Sequence, residues 1–156
     1  MQKFITKSEK QTMALGEKLA HYFQGGEIIG LIGELGAGKT VLIKGMAKQL
    51  NINKTITSPT FVLMKVYSIN NKQSIIENLV HVDAYRLNSG QDLIEIGLED
   101  WLGKSNTITA IEWADRVKDI LPKSKIIVKI KFGKKQNERE IKISNLKSLW
   151  KKDTNQ

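Results

Sequence analysis

Leu15, Leu19 and Phe23 recur at four-residue intervals, with polar positions between them, and this spacing predicts an amphipathic helix. Ser8 suits its N-cap, Gln11 reaches back as in a capping box, and Gly25-Gly26 closes the segment. Glu27 to Ile32 then holds the apolar run Ile28-Ile29-Gly30-Leu31-Ile32. The run is too short for a helix and is bounded by glycines, so it predicts a buried strand. A glycine-rich turn leads into a second helix from about Lys39 to Leu50.

Asn51 to Pro59 is polar and loop-like, and Phe61 to Tyr67 reads as a strand. Asn70-Asn71-Lys72 marks a hairpin turn or surface loop. Leu79 to Asp83 and Thr107 to Glu112 are apolar strands that each end on an acid. Between them Gln91 to Trp101 is helical but interrupted at Gly97, and Asp115 to Ile120 forms a short helix ahead of Pro122. Ile126 to Phe132 and Glu140 to Ser144 make a hairpin joined by Gly133-Lys134-Lys135-Gln136-Asn137. Ile141 and Ile143 alternate with Glu140 and Lys142, so one face of that hairpin is wet. Leu146 to Trp150 adds a last helical turn, and 151–156 reads as a frayed tail.

Alternating strands and helices predict an α/β three-layer sandwich around a mixed, mainly parallel sheet, with the C-terminal hairpin antiparallel. No repeat, low-complexity block or linker divides the chain, so 1–156 reads as a single domain.

Composition narrows the class. The chain has 156 residues, 40% apolar and 26% charged, which fits a globular protein. It has no cysteine, which excludes a disulfide framework, a thiolate metal site and a cysteine nucleophile. No apolar run approaches the roughly 20 residues of a membrane-spanning helix, and Met1 to Lys7 holds too short an apolar stretch for a signal peptide. The expected setting is cytoplasmic, without a membrane partner. The net charge of +9 attracts polyanions. Of the 25 basic residues, however, only Arg86, Arg116 and Arg139 are arginine. Scattered lysine often serves solubility alone, so charge by itself argues only weakly for nucleic acid.

Gly33-Glu34-Leu35-Gly36-Ala37-Gly38-Lys39-Thr40 matches the phosphate-binding loop G-x-x-x-x-G-K-[ST] in full, between a predicted strand and a predicted helix. The loop's N–H groups converge on phosphate oxygens, and the helix that follows aims its positive end at the same anion. Lys39 supplies charge at the β- and γ-phosphates, and the Thr40 hydroxyl suits Mg²⁺. ATP and Mg²⁺ are the expected ligands. Glu34, Leu35, Gly36, Ala37, Gly38, Lys39, Thr40 and Val41 form the expected binding segment.

A loop of this kind needs a carboxylate delivered from another strand, and ligands of α/β sheets sit at the carboxyl ends of strands. Asp83 and Glu112 both end strands. Glu112 is assigned mainly to the metal's shell, and Asp83 to water activation or a γ-phosphate switch; on sequence alone the two roles are interchangeable. Lys39, Asp83 and Glu112 are thus the expected catalytic residues, with Thr40 and the two acids at the metal. Arg86 and Arg116 follow these acids and are expected to ion-pair with them, the alternative being that one stabilises transition-state charge. His81 reads as a packed, hydrogen-bonded histidine. Trp113 suits either stacking on a base or packing. Ser58-Pro59-Thr60 is a rigid turn with two hydroxyls, placed to serve as a switch or only as a loop.

The order of four segments is more specific than any one of them. The P-loop, Ser58-Pro59-Thr60-Phe61, His81-Val82-Asp83-Ala84-Tyr85-Arg86-Leu87 and Ile111-Glu112-Trp113 resemble the TsaE (YjeE-type) ATPases over roughly Ser8 to Leu121. The resemblance implies the ATPase component of bacterial threonylcarbamoyladenosine modification of tRNA beside the anticodon. It implies TsaD and TsaB as partners, tRNA contacted weakly or indirectly, and slow hydrolysis alone with stimulation by the partner complex. It also implies a position near the nucleotide for Glu9. One departure is Val41, where many members carry a second Thr; only its backbone N–H remains for the α-phosphate.

Other functions fit less of the pattern. A small nucleotide or metabolite kinase needs several arginines about the moving phosphoryl group. A GTPase switch needs a guanine reader, and Asp100-Trp101-Leu102-Gly103 is only a short match to D-x-x-G. A subunit acting by nucleotide-dependent assembly without turnover is the third alternative.

Overall fold

Seven strands form one sheet in the computed structural model, which describes residues 1–146. The elements run β1 (Gln2–Thr6), α1 (Glu9–Ala20), β2 (Ile28–Ile32), α2 (Lys39–Gln49), β3 (Met64–Ser68) and β4 (Asn78–Asp83). They continue with α3 (Gln91–Glu95), β5 (Thr107–Glu112), β6 (Ile126–Phe132) and β7 (Arg139–Ser144). Two 3₁₀ segments cover Leu98–Asp100 and Ala114–Val117.

The strand order is β1-β7-β6-β2-β5-β4-β3. The central strands β6, β2, β5 and β4 are parallel, and the strands on both flanks are antiparallel. This is the expected mixed α/β sheet with its C-terminal hairpin. Of the parallel strands, β2, β4 and β5 carry the most continuous buried runs because helices or turns cover both of their faces, whereas β6 alternates, with Lys129 and Lys131 exposed. β7 likewise alternates, with Ile141 and Ile143 buried and its other positions partly exposed.

One core packs α1 and α2 against the sheet through Leu19, Ile29, Leu31, Leu42, Ile43 and Met46. The second core lies on the opposite face, where Val80, Val82 and Ile111 meet Leu93, Leu98 and Val117. The helices of the first layer approach closely because Gly16 lies against the Leu42 carbonyl and Gly45 against the Met13 carbonyl. A Cβ at either glycine would overlap backbone, so this crossing requires glycine.

Three expectations need correction, and one strand was not foreseen. The strand expected from Phe61 begins only at Met64. Leu63 has φ 64° and its N–H donates to the Pro59 carbonyl at 2.7 Å, closing a turn that leaves Phe61 and Val62 exposed. Residues 115–120 do not form an α-helix; the segment is a 3₁₀ turn over Ala114–Val117. In the cap of α1, Ser8 Oγ accepts from Gln11 N at 3.2 Å, but the Gln11 amide oxygen accepts from Lys7 N at 2.7 Å instead of Ser8 N. Finally, the N-terminal segment is strand β1, paired with β7 from Gln2↔Ile143 to Thr6↔Arg139. Leu146 is buried, while the rest of the turn expected from it and the tail at 151–156 lie outside the described residues. Among the described residues no helix is long and apolar enough to cross a membrane.

Candidate nucleotide site

β2 is buried from Ile28 to Leu31 and runs through the partly buried Ile32 into the loop Gly33–Gly38, which opens directly into α2. Gly36 and Gly38 hold φ of 76° and 108°, backbone that a side chain resists. Gly38 is the N-cap, no side chain caps α2, and its first turn contains no acid. The free N–H groups and the positive end of the helix dipole therefore face the loop's concavity.

Lys39 is the first residue of α2 and only 4% exposed. Its Nζ donates to the carbonyls of Gly33 at 2.6 Å and Glu34 at 2.9 Å, and it lies 4.1 Å from the centre of a Trp113 ring. Burial pushes its pKa below the ordinary 10.5, opposed in part by Glu112, Asp83 and Asp115. A desolvated ammonium held over a loop of converging N–H groups is a strong site for a polyanion.

The two acids sit side by side, since Asp83 and Glu112 are register partners on parallel β4 and β5. Their surroundings differ. Glu112 accepts from Thr40 Oγ1 at 2.7 Å and lies 2.8 Å from His81 Nε2. His81 is fully buried, as a packed histidine, and its Nδ1 has no partner. With Glu112 ionised, Nε2 carries the proton and donates it to that carboxylate. Asp83 instead gathers the Ser58–Thr60 turn: its Oδ2 accepts from Ser58 Oγ, and from Thr60 Oγ1 at 3.3 Å, and its Oδ1 accepts from Tyr85 N at 2.9 Å.

The donor set suits a hard cation. Thr40 and Glu112 present adjoining oxygens, and no cluster of three or more His, Cys, Asp or Glu ligands occurs among the described residues. Mg²⁺ is held in this manner, by one or two carboxylates together with phosphate and water, and not by an all-protein cage.

The family model described as "Threonylcarbamoyl adenosine biosynthesis protein TsaE" matches residues 6–141. The chain belongs to the TsaE family. A relative in Streptomyces coelicolor, named "tRNA threonylcarbamoyladenosine biosynthesis protein TsaE", is 34% identical over 87% of this chain and 91% of its own. A Treponema pallidum relative of the same name is 33% identical over 90% of this chain and 98% of its own. The crystal structure of Bacillus subtilis YdiB superposes with a TM-score of 0.72 at 29% identity, covering 90% of this chain and 82% of that one.

The segments that carry the TsaE resemblance converge on one end of the sheet. Glu9 joins them: a cleft of about 120 Å³ beside the loop is lined by Glu9, Thr12, Gly36, Gly38, Val41 and Arg139. Trp113 is partly buried in left-handed backbone (φ 58°), with the Tyr85 ring 4.9 Å away, so it packs over Lys39. The expected ion pairs of Arg86 and Arg116 do not form. Arg86 lies over Phe61 at 4.7 Å and Arg116 over Trp113 at 5.4 Å, because the strand ends turn their side chains toward aromatic rings.

Two residues of the TsaE site escape sequence reasoning. Arg139 Nε donates to the Ala37 carbonyl at 2.9 Å and one terminal nitrogen to the Gly36 carbonyl at 3.4 Å, bracing the loop from β7. Its rarity was the available signal, since it is one of three arginines in the chain. Thr12 sits one helical turn after Ser8 and hydrogen-bonds Thr6 Oγ1 at 2.7 Å, tying α1 to the end of β1, with its methyl group near Gly38. Nothing in the local sequence marks it.

Proposed function

We propose that this TsaE-family chain is the Mg²⁺-dependent ATPase of tRNA threonylcarbamoyladenosine biosynthesis, working in the cytoplasm with TsaD and TsaB. One observation carries the reading: Glu112, from the strand beside β2, meets the Thr40 hydroxyl at the mouth of a complete phosphate-binding loop. The pathway assignment rests on family membership and on the names its relatives bear.

On this reading the loop amides and Lys39 hold the triphosphate, while Thr40 and Glu112 hold Mg²⁺. When bound, Mg²⁺ neutralises charge that develops on the β- and γ-phosphates. Lys39 exchanges its bonds to the Gly33 and Glu34 carbonyls for phosphate oxygens. His81, 2.8 Å from Glu112, orients that carboxylate. Asp83 orients or deprotonates the attacking water, and its position follows that of Ser58 and Thr60. A partner that orders the Ser58–Phe61 segment would thereby set the acid, so slow hydrolysis is expected of the chain alone and faster hydrolysis in the complex.

The test is reconstitution with TsaB, TsaD and tRNA, following phosphate release and modified tRNA together, beside calorimetry with Mg-ATP. Binding of Mg-ATP, with turnover that rises on adding TsaB and TsaD, is expected. Absence of Mg-ATP binding with and without those partners defeats the proposal.

A further inference from the structure

The lysines that look scattered in sequence are gathered by the sheet. On its β4-β5-β2 half, the face opposite α1 and α2 is covered by α3 and the two 3₁₀ segments. Gly30 marks the edge of that cover, with Ala114 and Ile127 both filling the place a Cβ would take. Beyond it the same face of β6, β7 and β1 carries no covering element among the described residues.

Four lysines stand on this open face beside Ile5, Ile127, Glu140 and Ser144, and three of the four are in register. Lys3 faces Lys142, and Lys142 faces Lys129, making one row across three strands. Lys131 stands two residues along β6 from Lys129. Neighbouring strands lie about 5 Å apart, so the lysine side chains of the row leave the sheet at that spacing. Like charges placed directly opposite one another are unfavourable in a sheet. Glu140 is the only acid on these three strands, and it is shared: Lys3 lies 3.1 Å and Lys142 3.5 Å from its two oxygens. The contact with Lys3 holds its carboxyl below the ordinary range. The inner end of the row meets Ile32, where a cleft of about 390 Å³ runs between Ile32–Glu34 and Lys129–Phe132 up to the start of the phosphate loop.

We propose that this open lysine face docks the phosphate backbone of a folded RNA. A row of mutually repelling cations that a single carboxylate compensates only in part is relieved by a polyanion, and lysine acts as a point charge toward phosphate without reading base edges. Phe4 and Phe132, the aromatic residues of these strands, fall on the opposite alternation, so the face offers no ring for stacking unpaired bases. The ligand is therefore a duplex backbone recognised by charge and shape. The choice of RNA among polyanions rests on the proposed function; the face itself does not.

Fluorescent unmodified tRNA transcript is titrated with full-length protein across about 50–200 mM KCl and read by anisotropy. Wild type is expected to bind with a steep salt dependence. The variant Lys3→Gln/Lys129→Gln/Lys142→Gln should bind at least about tenfold more weakly at 50 mM salt and lose about 2–3 from its log–log salt slope. Lys129→Gln alone, which leaves both contacts of Glu140 intact, should lose about one. The control Lys10→Gln/Lys72→Gln/Lys104→Gln removes the same charge elsewhere and should stay near wild type. Equal loss in the control, no binding by wild type at 50 mM salt, or displacement of tRNA by polyglutamate as readily as by unlabelled tRNA would each overturn the proposal. Mg-ATP calorimetry on the same proteins separates the two readings. RNA binding through these lysines without ATP binding leaves the docking face standing and removes the ATPase; ATP binding without RNA binding does the reverse.

Discussion

Glu112→Gln separates what this carboxylate does for the fold from what it does for a nucleotide. Glu112 is 3% exposed, accepts from Thr40 at 2.7 Å and lies 2.8 Å from His81 Nε2. A hydrogen bond to a charged group contributes about 1.5–3 kcal/mol and one between neutral groups about 0.5–1.5, so keeping the shape without the charge costs about 1–1.5 per bond. The amide also avoids the desolvation of a buried carboxylate, which offsets part of that loss. A net loss of about 1–2 kcal/mol is expected, or about 2–8 °C in melting temperature for a chain of this size.

The effect on ATP has the opposite sign without metal. A carboxylate about 6 Å from a phosphate charge opposes it by about 3 kcal/mol at an effective dielectric of 20, before screening. Removing that charge should tighten ATP binding in EDTA by about tenfold, while the gain on adding Mg²⁺ shrinks by at least as much. Turnover in the partner complex should fall by about a hundredfold or more. Calorimetry in EDTA and in Mg²⁺, on one protein preparation, reads both effects. An equal loss of affinity in the two conditions would refute the assignment of Glu112 to the metal side and leave it a structural acid.

Three further outcomes follow from the geometry. Lys39 releases its proton below 10.5 in the folded protein; the unfolded chain therefore holds that proton more tightly, and the stability cost of the buried charge is relieved as pH rises through the folded pKa. ATP affinity moves the other way, falling from neutral pH toward 10.5, and pH-independent affinity over that range would count against Lys39 as the phosphate ligand. Arg139→Ala removes the donors to Ala37 and Gly36 and should weaken ATP binding by about fivefold to tenfold in calorimetry, with unchanged affinity the contrary result. Gly45→Ala would push a methyl group into the Met13 carbonyl and should lower unfolding free energy by about 1–3 kcal/mol or more, read as a fall in urea midpoint at constant m.

Where an element is set by its own residues, the sequence was legible. Thr107–Glu112 and Ile126–Phe132 are unbroken or strictly patterned β runs between polar breaks, and both occur with those bounds. The phosphate loop is local in the same sense, because its glycines, Lys39 and Thr40 are contiguous. β1 was not legible: five residues, with Lys3 and Ile5 on its exposed alternation, take strand form only by pairing with a partner about 140 positions away. Phe61 and Val62 satisfy any apolar count, yet a turn closed through Leu63 exposes them. Arg139 reaches Ala37 across 102 positions, and no local pattern encodes such a contact.

The inequality of the two acids is likewise a product of strand order and not of sequence order. Asp83 precedes Glu112 and ends a similar strand, so chain position gives no reason to separate them. In the sheet, β5 lies between β2 and β4, which puts Glu112 one strand from the loop and Asp83 two. At about 5 Å per strand, only the nearer acid shares space with a residue of α2's first turn, and Glu112 does so through Thr40. The farther acid falls beside the Pro59 turn, whose hydroxyls take up its second oxygen. A crossover that placed β4 beside β2 would exchange these surroundings without changing one residue of either motif. Glu112→Gln should therefore alter metal-dependent binding, and Asp83→Asn should spare it while lowering turnover; a matching loss of Mg²⁺ dependence in both variants would show that strand order does not divide the roles.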